Sequence, residues 1–150
     1  MNTIDTRDLI DERDNLSNDI IQAWNDYQEE NFDGEYGDCD NFDDVIQVAE
    51  NLKDNGSVDF LITWENEIRE VKEINDLEDE ISSSEWDYGL QLIDVDDFED
   101  YCEDLVSDIG DLPTDLPSYI SNNIDWEGVA EDLKVDYSEV EFRGTNYLYR

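Results

Sequence analysis

Carboxylates interrupt this chain from end to end, and that pattern limits its folds more than any other feature. Its 150 residues hold 45 Asp and Glu against 8 Lys and Arg and no His, a formal net charge of −37. Acids gathered in a tail would mark a disordered appendage. Here they interleave with apolar positions throughout, so a fold must bury its apolar residues while every outward face stays anionic. Leu, Ile, Val and Phe account for 39 of the 150 residues, above the roughly 20% below which highly charged chains stay unfolded. Four Trp and eight Tyr add large core side chains. The chain is therefore expected to fold, as one domain or two small modules, with self-repulsion weakening it at low salt.

The same charge excludes whole classes of function. Direct binding to nucleic acid or to an anionic membrane is disfavoured, because both polyanions repel such a surface. Without His there is no imidazole base, no His-containing triad and no His ligand for zinc. No cofactor is expected. Cys39 and Cys102 lack metal-ligand spacing and read as two free thiols of a reducing cytosol. With no signal-like or membrane-spanning run, the expected location is cytoplasmic. A basic partner, or a cation, is what such a surface can meet.

The apolar periodicity predicts a helix from Thr6 to about Glu30, with Leu9, Leu16, Ile20, Trp24 and Tyr27 on one narrow stripe and Arg13 on the missing step. Asn31–Asn41 is a break. A second helix follows over about Phe42–Lys53, ended by Asn55-Gly56, and a third over Val58–Ile81, stopped by Ser82-Ser83-Ser84. Tyr88–Ile93 reads as a short strand. Asp94 then caps a helix over Val95–Ile109, with Phe98, Tyr101, Cys102, Leu105 and Ile109 inward. After the irregular Leu112-Pro113 and Leu116-Pro117, Asp125 caps Trp126–Lys134. Asp136–Phe142, a turn at Arg143-Gly144, and Thr145–Tyr149 form a β-hairpin. The expected class is α+β, predominantly α. A helical, coiled-coil-like hairpin or bundle covers residues 1–85 and a helix plus β-hairpin module covers 86–150, as two parts or as one elongated body.

What the acids are for has several answers. Duplex DNA carries one charge per about 1.7 Å, so a charge of −37 matches that of roughly 18 base pairs. Acidic faces of long helices approach that linear density, so a folded body of this charge can present to a basic cleft what DNA presents. Halophilic adaptation also coats proteins in acid, but three Ala against thirteen Ile fits it poorly. Calcium binding would use EF-hand-like offsets at Glu29, Asn31, Asp33, Gly34 and Asp40. A paired-carboxylate enzyme is the weakest candidate, because among 45 acids close pairs arise by chance.

Several C-terminal motifs carry a resemblance. They are Tyr101 through Asp108-Ile109-Gly110, the two Leu-Pro pairs, Ile124-Asp125-Trp126-Glu127, Ala130-Glu131-Asp132-Leu133, Asp136-Tyr137, Gly144 and Tyr147. With these, residues 98–150 resemble the C-terminal part of ArdA-type antirestriction proteins of phages and conjugative elements. The resemblance implies an acidic, elongated, often dimeric protein that is not an enzyme. Such a protein mimics bent DNA and occupies the DNA-binding groove of type I restriction-modification enzymes. A CRISPR nuclease blocked by the same mimicry is an alternative target, and an acidic cation-binding or adaptor module an alternative role. Within the matching stretch Trp126, Leu133, Tyr137 and Phe142 are expected to form a small core, and Asp125 to cap a helix rather than touch a partner. The carboxylates expected to face the partner are Asp96, Asp97, Glu99, Asp100, Glu103, Asp104, Glu127, Glu131 and Asp132.

Overall fold

The computed structural model describes residues 1–52, 58–110, 113 and 115–150. Its elements run β1 (Thr3–Asp5), α1 (Thr6–Phe32), α2 (Phe42–Asn51), α3 (Val58–Thr63), α4 (Glu65–Ile81), β2 (Gln91–Asp94), α5 (Phe98–Asp108), α6 (Ser118–Ser121), α7 (Trp126–Lys134), β3 (Ser138–Phe142) and β4 (Thr145–Tyr149). Short 3-10 turns occupy Trp86–Tyr88 and Val95–Asp97. The class is α+β with helix predominant, as the sequence predicts. The chain divides into two compact units, Asp8–Asp79 and Met1–Arg7 with Glu80–Arg150. The first seven residues thus group with Glu80–Arg150.

In the Asp8–Asp79 unit, the stripe on α1 is buried as its spacing demands, with Ile20 and Trp24 fully enclosed. They pack with Phe42, Val45, Ile46 and Ala49 of α2, Phe60 of α3, and Ile68 and Val71 of α4. This is a core shared by four helices, broader than the two-helix seam the narrow stripe implied. The reason is aromatic bulk. Trp24 meets Phe60 edge-on at 5.1 Å, and Tyr27 lies 5.5 Å from the same ring, so one stripe reaches several partners. Arg13 takes the stripe's polar step, its Nη1 donating to Glu78 Oε2 at 2.7 Å and to Asn75 Oδ1 at 3.3 Å. Asn41 caps α2 by accepting from the Asp44 N–H at 2.9 Å. The helix end expected at Lys53 to Gly56 lies outside the described residues.

The single helix expected over Val58–Ile81 is two. Thr63 Oγ1 donates back to the Asp59 carbonyl at 2.8 Å, a bond that bends helices, and the helix restarts after Trp64. The EF-hand-like segment is not a loop at its start. Helix α1 runs to Phe32, so Glu29 and Asn31 lie on helical turns. Among the described residues no group of three or more His, Cys, Asp or Glu is placed to hold a metal ion.

The other unit is built on a four-stranded antiparallel sheet in the order β1-β2-β4-β3. Ile93 of β2 stands opposite Leu148 of β4. Together with Phe98, Cys102 and Ala130 these form a buried cluster under α5 and α7. The expected strand over Tyr88–Ile93 is shorter and later, because Trp86–Tyr88 is a 3-10 turn closed by Gly89 at φ 98°. Helix α5 begins through the 3-10 turn, whose cap is Asp94 accepting from the Asp96 N–H at 2.9 Å. Ile109 is 60% exposed rather than inward, because α5 ends at Asp108. Trp126 also departs from expectation. It is half-buried and lines a recess with Pro113, Leu116 and Ile124, while Leu133 and Tyr137 do pack against the cluster and Phe142 is buried. The hairpin turns at Arg143 and Gly144 with φ of 50° and 79°, the two left-handed positions a type I′ turn requires. Both cysteines are free.

Candidate partner-binding surface

Sequence reasoning named nine carboxylates for a partner, and the structure distributes them over two neighbouring helices and the turn before one of them. Asp96 and Asp97 lie in the 3-10 turn, Glu99, Asp100, Glu103 and Asp104 on α5, and Glu127, Glu131 and Asp132 on α7. Eight are exposed. Asp97 is half-buried, its Oδ2 accepting from the Asn2 N–H at 2.7 Å, so its charge is partly committed to holding the N-terminus.

Four of the nine converge. Asp96, Glu99, Glu127 and Glu131 rim a groove of about 270 Å3 whose floor is Val95, Phe98, Ala130 and Leu148. Helices α5 and α7 present them because each buries its opposite face on the sheet through Phe98, Cys102 and Ala130. Asp125 fixes where α7 begins, its Oδ1 accepting from the Gly128 N–H at 3.0 Å, so Asp125 is a cap as expected. Asp100, Glu103, Asp104 and Asp132 lie outside the groove, with Glu103 facing the Trp126 recess. One cation that sequence reasoning passed over, Lys134, lines the groove. It falls in the last turn of α7, where a positive charge complements the helix dipole.

The spacing of these acids is costly to the fold. Glu99/Glu103, Asp100/Asp104 and Glu127/Glu131 are each four residues apart on a helix, where like charges destabilise by about 0.2–0.5 kcal/mol per pair. Of the groove's carboxylates none is neutralised by an ion pair among the described residues. Elsewhere carboxylates are tied down. Asp94 is held below the usual carboxylate range by the Asp96 N–H and then by the Asn2 amide, and Asp5 to about 2 by Arg7. Burial raises the thiols of Cys39 and Cys102, so neither is an activated nucleophile.

Among the described residues, the carboxylates of this groove thus form an acidic surface without ion-pair partners. A family model for antirestriction protein (ArdA) matches residues 7–147. The chain belongs to the ArdA antirestriction protein family. The match extends well beyond the C-terminal third that carried the resemblance, and takes in the helical unit Asp8–Asp79 as well. No curated protein and no solved structure matches the chain. ArdA membership makes this an anti-defence protein directed at restriction. Among its described residues no helix is long and apolar enough to cross a membrane.

Proposed function

We propose that this ArdA protein inhibits a type I restriction-modification enzyme in the host cytoplasm by occupying its DNA-binding groove as a DNA mimic. The observation that carries this is the unneutralised carboxylate array on α5 and α7, whose like-charge spacing costs the fold stability. Its action is occupancy without chemistry. The enzyme's groove must hold cations for the phosphates of DNA, and the array offers those cations anionic oxygens on a preformed scaffold. Electrostatic steering then gives fast association that weakens steeply with salt. Energy is spread over many contacts, each about 0–1 kcal/mol at an exposed site, so single substitutions do little.

The test is inhibition of a purified type I enzyme with its DNA substrate and this protein in competition. Inhibition is expected to be overcome by excess duplex DNA and to fall as salt rises. Joint replacement of Asp96, Glu99, Glu127 and Glu131 by Asn or Gln is expected to weaken it far more than any one of them. Binding that resists both salt and excess DNA overturns the proposal.

A further inference from the structure

A recess on the sheet unit contrasts with the rest of this acidic molecule. It measures about 270 Å3, and no Asp or Glu is among the residues that line it. Leu90, Ile93 and Leu105 give it an apolar base, while Tyr101, Tyr137 and Arg150 supply its polar edge. Arg150 makes no ion pair among the described residues, although the chain holds 45 carboxylates. Arg150 is exposed, and its guanidinium supplies a fork of donors that suits a planar anion.

The phenols complete the arrangement. Tyr137 is held by an edge-on contact with Phe98 at 4.9 Å, and Phe98 also stacks on Tyr101 at 6.1 Å, so both rings are fixed from behind. Burial, then the charge and hydrogen bond of Tyr101, push the Tyr137 hydroxyl up to about 12. The Tyr137 phenol therefore keeps its proton at neutral pH. A protonated phenol keeps an O–H that can donate to a ligand.

We propose that this recess binds a small carboxylate, carried on a single aromatic ring or a short aliphatic chain. Its Arg150 guanidinium takes the carboxylate, a tyrosine hydroxyl adds a hydrogen bond, and Leu90, Ile93 and Leu105 take the apolar part. The size suits such a ligand: an apolar cavity of about 150 Å3 accommodates benzene, and sites for drug-sized molecules begin near 300 Å3. The site is independent of the antirestriction function and carries an opposite salt signature. The chain's net charge of −37 repels any anion at long range. The Debye length shrinks from about 30 Å at 0.01 M to about 8 Å at 0.15 M salt, so distant acids are screened while Arg150 still touches the ligand. Carboxylate binding therefore strengthens over the range in which binding to a basic partner weakens.

The experiment is an NMR titration of the 15N-labelled full chain with sodium benzoate at about 10 mM and about 150 mM NaCl, with benzamide as the neutral isostere. Saturable shifts are expected at the amides of Leu90, Ile93, Leu105 and Arg150, tighter at the higher salt. Benzamide, and benzoate with Arg150→Gln, should each bind at least about tenfold more weakly, as loss of a hydrogen bond to a charged group implies. Tyr137→Phe should cost a few-fold and leaves the ring in place. Equal binding of benzamide and benzoate overturns the proposal, as do an unaffected Arg150→Gln variant or shifts that never saturate. Sedimentation supplies a further check. A concentration-dependent dimer that excludes benzoate and falls apart in Arg150→Gln would show an acid of a second copy in the recess, and overturns a free small carboxylate as occupant.

Discussion

Thr6 has no solvent exposure and both capacities of its hydroxyl are used. Its Oγ1 donates to the Trp86 carbonyl at 2.7 Å and accepts from the Leu90 N–H at 2.9 Å, while its own N–H donates to the Leu90 carbonyl at 3.0 Å. Thr6→Val keeps the shape and strands a buried N–H and a buried carbonyl. A loss of about 1–3 kcal/mol is expected in urea unfolding, with Thr6→Ser close to wild type. Next to it, Asp5 accepts from the Arg7 backbone N–H at 2.9 Å and from its guanidinium at 2.7 Å. Gly89 lies against this pair: a Cβ there would fall 2.7 Å from Arg7 Nε, at a backbone φ of 98°. The folded Asp5 carboxyl titrates at about 2 against an ordinary 3.8. A depressed carboxyl contributes stability that is present above its unfolded value and lost as pH falls from there through about 2. Gly89→Ala should therefore destabilise the protein by about 1–3 kcal/mol through backbone strain. It should also move the Asp5 midpoint up towards 3.8 as Arg7 is displaced, read from the side-chain carboxyl shift in an NMR pH titration.

Elements show why part of the fold was legible and part was not. Helices α1, α2 and α7 and the β3–β4 hairpin carry local signals: a stripe, an Asn or Asp cap, two left-handed turn residues. Each was predicted close to its observed bounds. Strand β1 has three residues, and what makes it a strand is pairing of Thr3 with Ile93 and Asp5 with Gln91, which no local pattern carries. The break at Trp64 is a single residue across which the main-chain bonds Trp64 N–H to Phe60 O and Ile68 N–H to Trp64 O continue, so no sequence signal marks it. The four-residue α6 comes from a stretch that prolines made look irregular. The candidate surface divides the same way. That Glu127 and Glu131 face outward follows from the α7 periodicity. That they share a groove with Asp96 and Glu99 follows only from α5 and α7 packing on one sheet. The Arg150 recess was invisible because its members come from β2, α5 and the hairpin end. The cap on α7 makes the point testable. Asp125→Ala should cost about 1 kcal/mol and loosen the first turn bearing Glu127. Hydrogen exchange is expected to speed up at Gly128 and Val129 and to leave the α5 amides unchanged.

At the scale of the molecule, charge sets the terms on which everything else is stable. The Asp8–Asp79 unit holds 24 acids and 4 bases, net −20, and the other unit 21 acids and 4 bases, net −17. Neither unit offsets the other's charge, and the described ion pairs are few and mostly solvent-exposed. Each unit is thus a folded body under its own repulsion, held by cores such as those around Trp24 and around Ile93 with Leu148. Unfolding spreads the charges apart, so it relieves the repulsion, and salt removes that incentive. The melting temperature should therefore rise steadily between about 10 mM and about 150 mM salt, where the Debye length falls from about 30 Å to about 8 Å. Screening depends on ionic strength alone. Sodium chloride and tetramethylammonium chloride at equal ionic strength should give the same rise by calorimetry. A rise seen with sodium and absent with the bulky cation would instead mean that discrete cation sites, and not the diffuse field, hold the protein together. In the same salt range inhibition of the restriction enzyme is expected to weaken. On the proposed mimicry, the charge that strains the fold is the charge the target would recognise, so stability and inhibition are expected to move oppositely with salt.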